Sequence, residues 1–180
     1  LAKGASPFIQ AAVAGLGAAA SFGGLVGKVV QTSAQFEKFQ TILETIEGSS
    51  EKAKASMGWV SDFAAKTPYE LQEVTDAFVK LKAYGIDPQS GALKAAGDAA
   101  AAMGKPLEQA VEALADAMTG ENERLKEFGI KAAKVGDQIV YTWTENGKTM
   151  AAKVNANNKA MIQSTLQGIW NKRYGGAMDN

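Results

Sequence analysis

Three carboxylates stand close together at Glu121, Glu123 and Glu127, and they are the best candidates for chemistry in the sequence. Two carboxyl groups at a suitable separation hydrolyse a glycosidic bond, one protonating the leaving oxygen while the other attacks or activates water. A carboxylate-only peptidoglycan hydrolase is therefore one reading. The other is structural: Thr119-Gly120-Glu121-Asn122-Glu123-Arg124 has the composition of a turn and a short helix start. Acids favour the positive end of a helix dipole, and Arg124 and Lys126 balance them.

The 180 residues include no His and no Cys, so what survives chemically is carboxylate-only catalysis or a Lys nucleophile. His is the commonest general base at neutral pH and the commonest transition-metal ligand, so Ser–His triads, zinc hydrolases and most non-haem iron sites are excluded. Without Cys there are no disulfides, thiolate metal sites or Cys nucleophiles. The glycines form no phosphate loop, with no Gly-Lys-Ser/Thr, and neither a nucleophile elbow nor a calcium loop is present. The expectation is a non-enzymatic protein without cofactor or metal. Lys plus Arg equals Asp plus Glu at 19 each. No overall field steers the chain to nucleic acid, and sequence-specific nucleic-acid binding is not expected.

The elements that must position these residues differ along the chain. A start at Leu1 rather than Met reads as a segment cut from a longer protein. Residues 4 to 27 carry no charge and are bracketed by Lys3 and Lys28, a span long enough to cross a bilayer as a helix. Small residues recur every four positions at Ala11, Gly15, Ala19, Gly23 and Gly27, which on a helix makes one smooth stripe for close approach by another helix. Glycine is costly in a water-exposed helix, so the arm needs a packing partner. That partner is lipid, its own domain or a sister copy.

The expected fold is mainly α: an apolar Gly/Ala-rich helical arm over 1–30, then a multi-helix domain over 31–178 with one small β-hairpin at about 138–154. Phe36, Phe39, Leu43 and Ile46 step by three, four and three, and so do Leu71, Val74, Phe78 and Leu81. That spacing marks core-facing helix stripes. Gly48-Ser49-Ser50 ends one helix and caps the next. Thr67-Pro68-Tyr69-Glu70 reads as a capping box with Pro68 at the first helical position. Leu81-Lys82-Ala83-Tyr84-Gly85-Ile86 and Leu125-Lys126-Glu127-Phe128-Gly129-Ile130 share one pattern, read as two Schellman caps. An Ala-rich helix from about Leu93 to Met103 and a Leu107, Val111, Leu114, Met118 stripe lie between them. Asn146-Gly147 marks a two-residue hairpin loop that pairs Trp143 with Met150, Tyr141 with Ala152 and Ile139 with Val154. A last helix from about Asn155 presents Ile162, Leu166, Ile169 and Trp170.

Many ordered pieces carry a further resemblance: Phe36-Glu37-Lys38-Phe39-Gln40, Thr67-Pro68-Tyr69-Glu70-Leu71, Asp76-Ala77-Phe78-Val79-Lys80-Leu81, Tyr84-Gly85-Ile86, Ala102-Met103-Gly104-Lys105, Ala113-Leu114-Ala115-Asp116-Ala117, the run Gly120 to Ile130, Gly168-Ile169-Trp170 and Tyr174-Gly175-Gly176-Ala177-Met178. Over about residues 30 to 178 the chain closely resembles the tail length tape measure protein of long-tailed bacteriophages and prophages. The resemblance implies a long helical rod in the lumen of the phage tail tube, whose length sets how many tube rings assemble. It also implies release ahead of the DNA to help form a passage through the host envelope. Implied partners are the tail tube protein, tail assembly chaperones and tail tip proteins, with self-association and contact with the host inner membrane or periplasm on infection. The protein would be made in the bacterial cytoplasm. The family has no catalytic motif to carry onto this region, and no heptad ruler is visible here. Beside the structural reading stand a membrane-active, pore-forming segment and the hydrolase.

Overall fold

The computed structural model describes residues 23–179, with side chains from residue 34 onward. Ala11, Gly15 and Ala19 of the small-residue stripe lie outside the described residues, and Gly23 and Gly27 fall within the first helix. The chain divides into two compact units, one ending at Val79 and the other beginning at Lys80.

The first unit is built on α1 (Gly23–Glu47) and α2 (Ser50–Lys66), which pack together across a short turn. Ser49 makes the expected cap, its hydroxyl accepting the Lys52 N–H at 3.2 Å. Phe36 and Leu43 are buried, Phe39 is half-buried and Ile46 is 40% exposed. The stripe is thus narrower than its spacing suggests. Positions seven apart lie nearly in line on a helix, whereas a step of three swings about 60° to one side. Phe39 and Ile46 stand on that edge. On α2, Met57 and Val60 are buried, and Trp59 stacks on Phe63 with ring centroids 5.1 Å apart.

The third helix, α3 (Leu71–Ala83), carries the chain into the second unit. It starts later than the capping-box reading expects. Thr67 closes α2, its N–H donating to the Ala64 carbonyl at 3.4 Å, so residues 67 to 70 are spent on the turn. The reciprocal bond comes one turn on, where the Glu73 carboxylate accepts the Glu70 N–H at 2.9 Å. Leu71, Val74, Phe78 and Leu81 are all buried, as their spacing requires.

In the second unit α4 (Ala92–Met103) is buried along most of its length, and α5 (Leu107–Met118) and α6 (Lys159–Tyr174) both pack against it. Alanine suits a helix enclosed on several sides, because neighbouring backbones can approach closely. One charge enters this core: Asp98 is 1% exposed, accepts the Met178 N–H at 3.0 Å and faces the Lys94 ammonium at 3.3 Å. This fastens the turn Ala177–Asp179 onto α4. The stripe Leu107, Val111, Leu114 and Met118 is buried as expected.

The sheet has three antiparallel strands in the order β1 (Lys131–Val135), β2 (Gln138–Glu145) and β3 (Lys148–Asn155). The expected pairings of Trp143 with Met150, Tyr141 with Ala152 and Ile139 with Val154 are all present. Asn146 and Gly147 have φ of 52° and 77°, the left-handed pair that a type I′ turn demands. The additional strand is β1. Its sequence Lys-Ala-Ala-Lys-Val has little intrinsic strand preference, and pairing with β2 supplies its conformation. The last helix also begins later than expected. Asn155 ends β3, and Asn158 caps α6 by accepting the Met161 N–H at 3.0 Å.

Tyr141 is fully buried beneath the sheet, its hydroxyl has no hydrogen-bond partner, and burial pushes its pKa up to about 12. The tyrosine of the unfolded chain ionises near 10. Below pH 10 both states keep the proton; as pH rises to about 12 the unfolded state loses it first. Stability should therefore fall by about 2–3 kcal/mol across that window. Tyr141→Phe should abolish this share of the loss, read as the difference between the two chains in urea unfolding at pH 9 and pH 11.5. Equal losses in both would show that the phenol is not responsible.

Candidate functional site

The three candidate carboxylates lie at the corner between α5 and β1. Helix α5 ends in a Schellman turn, with Glu121 N–H on the Asp116 carbonyl at 3.0 Å and Gly120 N–H on the Ala117 carbonyl at 3.2 Å. A six-residue 3₁₀ segment, Glu123–Phe128, follows. Its end repeats the motif: Ile130 N–H meets the Leu125 carbonyl at 3.0 Å and Gly129 N–H the Lys126 carbonyl at 3.2 Å. The matching end of α3 places Ile86 on Leu81 at 2.9 Å and Gly85 on Lys82 at 3.0 Å. Both expected caps are formed, the second closing a 3₁₀ segment rather than an α-helix.

Leu125 and Phe128 are buried, which turns Glu123, Arg124, Lys126 and Glu127 toward solvent. Glu121 and Glu123 line an open depression of about 470 Å³ with Asp116, Asn122, Arg124 and Lys126. Glu127 lies outside that lining and pairs with Lys105 at 3.4 Å. Two of the three acids are brought together, and the third is turned to another partner. Arg124 is the hub: its Nε donates to Asp116 at 2.9 Å, and its Nη1 lies 3.8 Å from Glu112, which also meets Lys80 at 3.1 Å. The sequence reading missed Glu112 and Asp116. Their four-residue spacing on one helix face was the signal.

A general acid near neutral pH needs a carboxyl group withdrawn from water so that it keeps its proton. Here the Glu123 side chain is 86% exposed and lies 3.0 Å from the Lys126 ammonium. The corner is arranged for ion pairing between the end of α5 and the approach to the sheet. Among the described residues no group of three or more acidic, His or Cys side chains could hold a metal ion. Among them, too, no helix is long and apolar enough to cross a membrane; the uncharged run over residues 4 to 27 lies almost wholly outside them.

Comparison with known proteins extends the resemblance seen in the residues. A family model described as Tape measure protein matches residues 27–157. The Mu-like prophage FluMu protein gp42 of Haemophilus influenzae is 37% identical over 93 residues, covering 51% of this chain and 14% of that protein. No solved structure matches the chain. The family model takes in most of the described residues of the first unit and those of the second through the ion-pair corner and the sheet, and on that extent of agreement the chain belongs to the tape measure protein family, whose members are structural components of phage tails.

Proposed function

We propose that these residues form a folded helical segment of a much longer tape measure protein in the lumen of the tail tube, the length of the parent setting how many tube rings assemble. The observation that carries this reading is the family match over residues 27–157. The small share of the prophage relative that is matched, 14%, supports a large parent. The longest described helix, α1, has 25 residues, about 38 Å at the usual rise of a helix, so this segment contributes little length itself. On this reading its partners are the tail tube protein, the tail assembly chaperones, the tail tip proteins and further copies of itself. It is made in the bacterial cytoplasm and carried in the virion. The uncharged run over residues 4 to 27 favours a later role in contact with the host envelope during DNA passage.

Two genetic experiments test the two parts. Adding or removing helical residues of the parent outside this segment should change tail length in electron micrographs by about 1.5 Å per residue. Tails of constant length would overturn the ruler. Deleting residues 1 to 28 should shorten the tail by no more than about 42 Å at that rise and lower DNA delivery; undiminished delivery would remove the envelope role.

A further inference from the structure

The zero net charge of the chain hides an uneven distribution. Residues 131–178, which contain the three strands and α6, hold Lys131, Lys134, Lys148, Lys153, Lys159, Lys172 and Arg173 against only two acids, Asp137 and Glu145. This positive region includes a depression of about 300 Å³ at the start of the sheet, lined by Lys126, Lys131 and Arg173 together with Thr142, Thr144 and Thr149. No acidic residue lines it.

The fold brings these groups together by register and by a cap. Lys131 pairs with Thr142, and Thr144 with Thr149, so the four side chains share the face opposite Ile139, Tyr141 and Val154. Pairing with β1 stops at Lys131, leaving Trp143 and Thr144 of β2 without a strand on that edge. Arg173 is held in place: its Nη1 donates to the Gly129 carbonyl at 3.1 Å, and its guanidinium lies 5.0 Å from the centre of the Tyr174 ring. The Tyr174 hydroxyl donates in turn to the Phe128 carbonyl at 3.1 Å. A guanidinium has five N–H donors, and this anchoring uses one of them. Lys131 forms no ion pair among the described residues. Lys126 is shared with the exposed Glu123, a pair that water screens. Trp143 borders the depression along the strand, while the same alternation puts its ring on the face of Tyr141, where its indole N–H donates to the Glu145 carboxylate at 3.1 Å.

We propose that this depression binds a phosphoryl group, as the free ion or as an ester. A phosphoryl group presents at least three strong acceptor oxygens, and the lining answers with two ammonium groups, a fixed guanidinium and three hydroxyls. A carboxylate, with two oxygens, would use fewer of these donors. The volume stands at the small end of the range for ligand sites and exceeds what a bare ion needs, so an ester with a short organic group fits it.

The test follows the backbone N–H groups of Lys131, Thr142 and Thr144 by two-dimensional NMR in the whole chain. Inorganic phosphate and glycerol 3-phosphate should each produce a saturable shift, and sodium chloride at matched ionic strength should not. Lys131→Gln should weaken phosphate binding at least fivefold, and Lys159→Gln, which changes a charge outside the depression, should alter it less than twofold. A shift that does not saturate, or that chloride reproduces, would overturn the site. Equal weakening by both substitutions would also overturn it, by showing a general field instead of a site. Vesicles of phosphatidylglycerol then separate two sources of the same chemistry: displacement of bound phosphate by vesicles assigns a lipid headgroup, and none assigns a soluble phosphate or its ester.

Discussion

Trp170→Ala should lower the unfolding free energy of the second unit by about 3–5 kcal/mol, the usual cost of removing a large aromatic from a core. Trp170 is fully buried on α6, and its ring meets Phe128 at 5.7 Å with the planes at 61°. That edge-on contact joins the last helix to the 3₁₀ segment before the sheet. The indole N–H is buried without a hydrogen-bond partner, so truncation sacrifices no such bond and the loss is one of packing. A domain holds only about 5–15 kcal/mol in total. The variant should therefore unfold at markedly lower urea, as followed by far-ultraviolet circular dichroism. A loss below 1 kcal/mol would mean that the site collapses freely and that α6 is not held through this ring.

Gly129→Ala should cost about 3–4 kcal/mol, of which about 1–2 comes from the left-handed backbone and about 1 from each of the two hydrogen bonds displaced. Gly129 has φ of 84°, and a methyl group there would occupy the space taken by the Arg173 guanidinium and the Tyr174 hydroxyl. Those two groups bind the carbonyls of Gly129 and Phe128. Gly85 provides the internal control. It has φ of 78° in the same kind of cap, but nothing lies within 4 Å of where its Cβ would be. Gly85→Ala should thus show only the backbone share, about 1–2 kcal/mol. The comparison uses urea midpoints of the two variants. Equal losses would show that docking of Arg173 and Tyr174 adds nothing to the second cap. In the Gly129→Ala background, Arg173→Ala should cost little more, because its bond is already lost.

These expectations rest on features that differ in how far they could be read in advance. Both Schellman caps were visible, since six consecutive residues contain the donors, the acceptors, the left-handed glycine and the closing Ile. The hairpin register was visible for a similar reason: a two-residue Asn-Gly loop leaves one alignment that puts Ile139, Tyr141 and Val154 on the buried face. Helix starts were less legible. Thr67 and Asn155 each have cap-like side chains or neighbours, yet one closes the helix before it and the other ends a strand. Local chemistry permits both uses, and the reach of the preceding element decides between them.

The sequence by itself determined the helical stripes, the caps, the hairpin and the tape measure resemblance, because each depends on residues a few positions apart or on the order of short matching pieces. Tertiary structure alone decided what depends on distant residues. It recruited the weak strand β1 by pairing with β2. It separated Glu127 from Glu121 and Glu123, although all three lie within seven positions, because the 3₁₀ segment turns Glu127 toward Lys105. It also set Arg173 against Gly129, 44 positions away in the chain, and gathered Lys131, Thr142, Thr144 and Thr149 on one face. Such groupings arise from burial of Phe128, Tyr141 and Trp170, whose packing carries the polar residues into place and leaves no local signature at the positions it brings together.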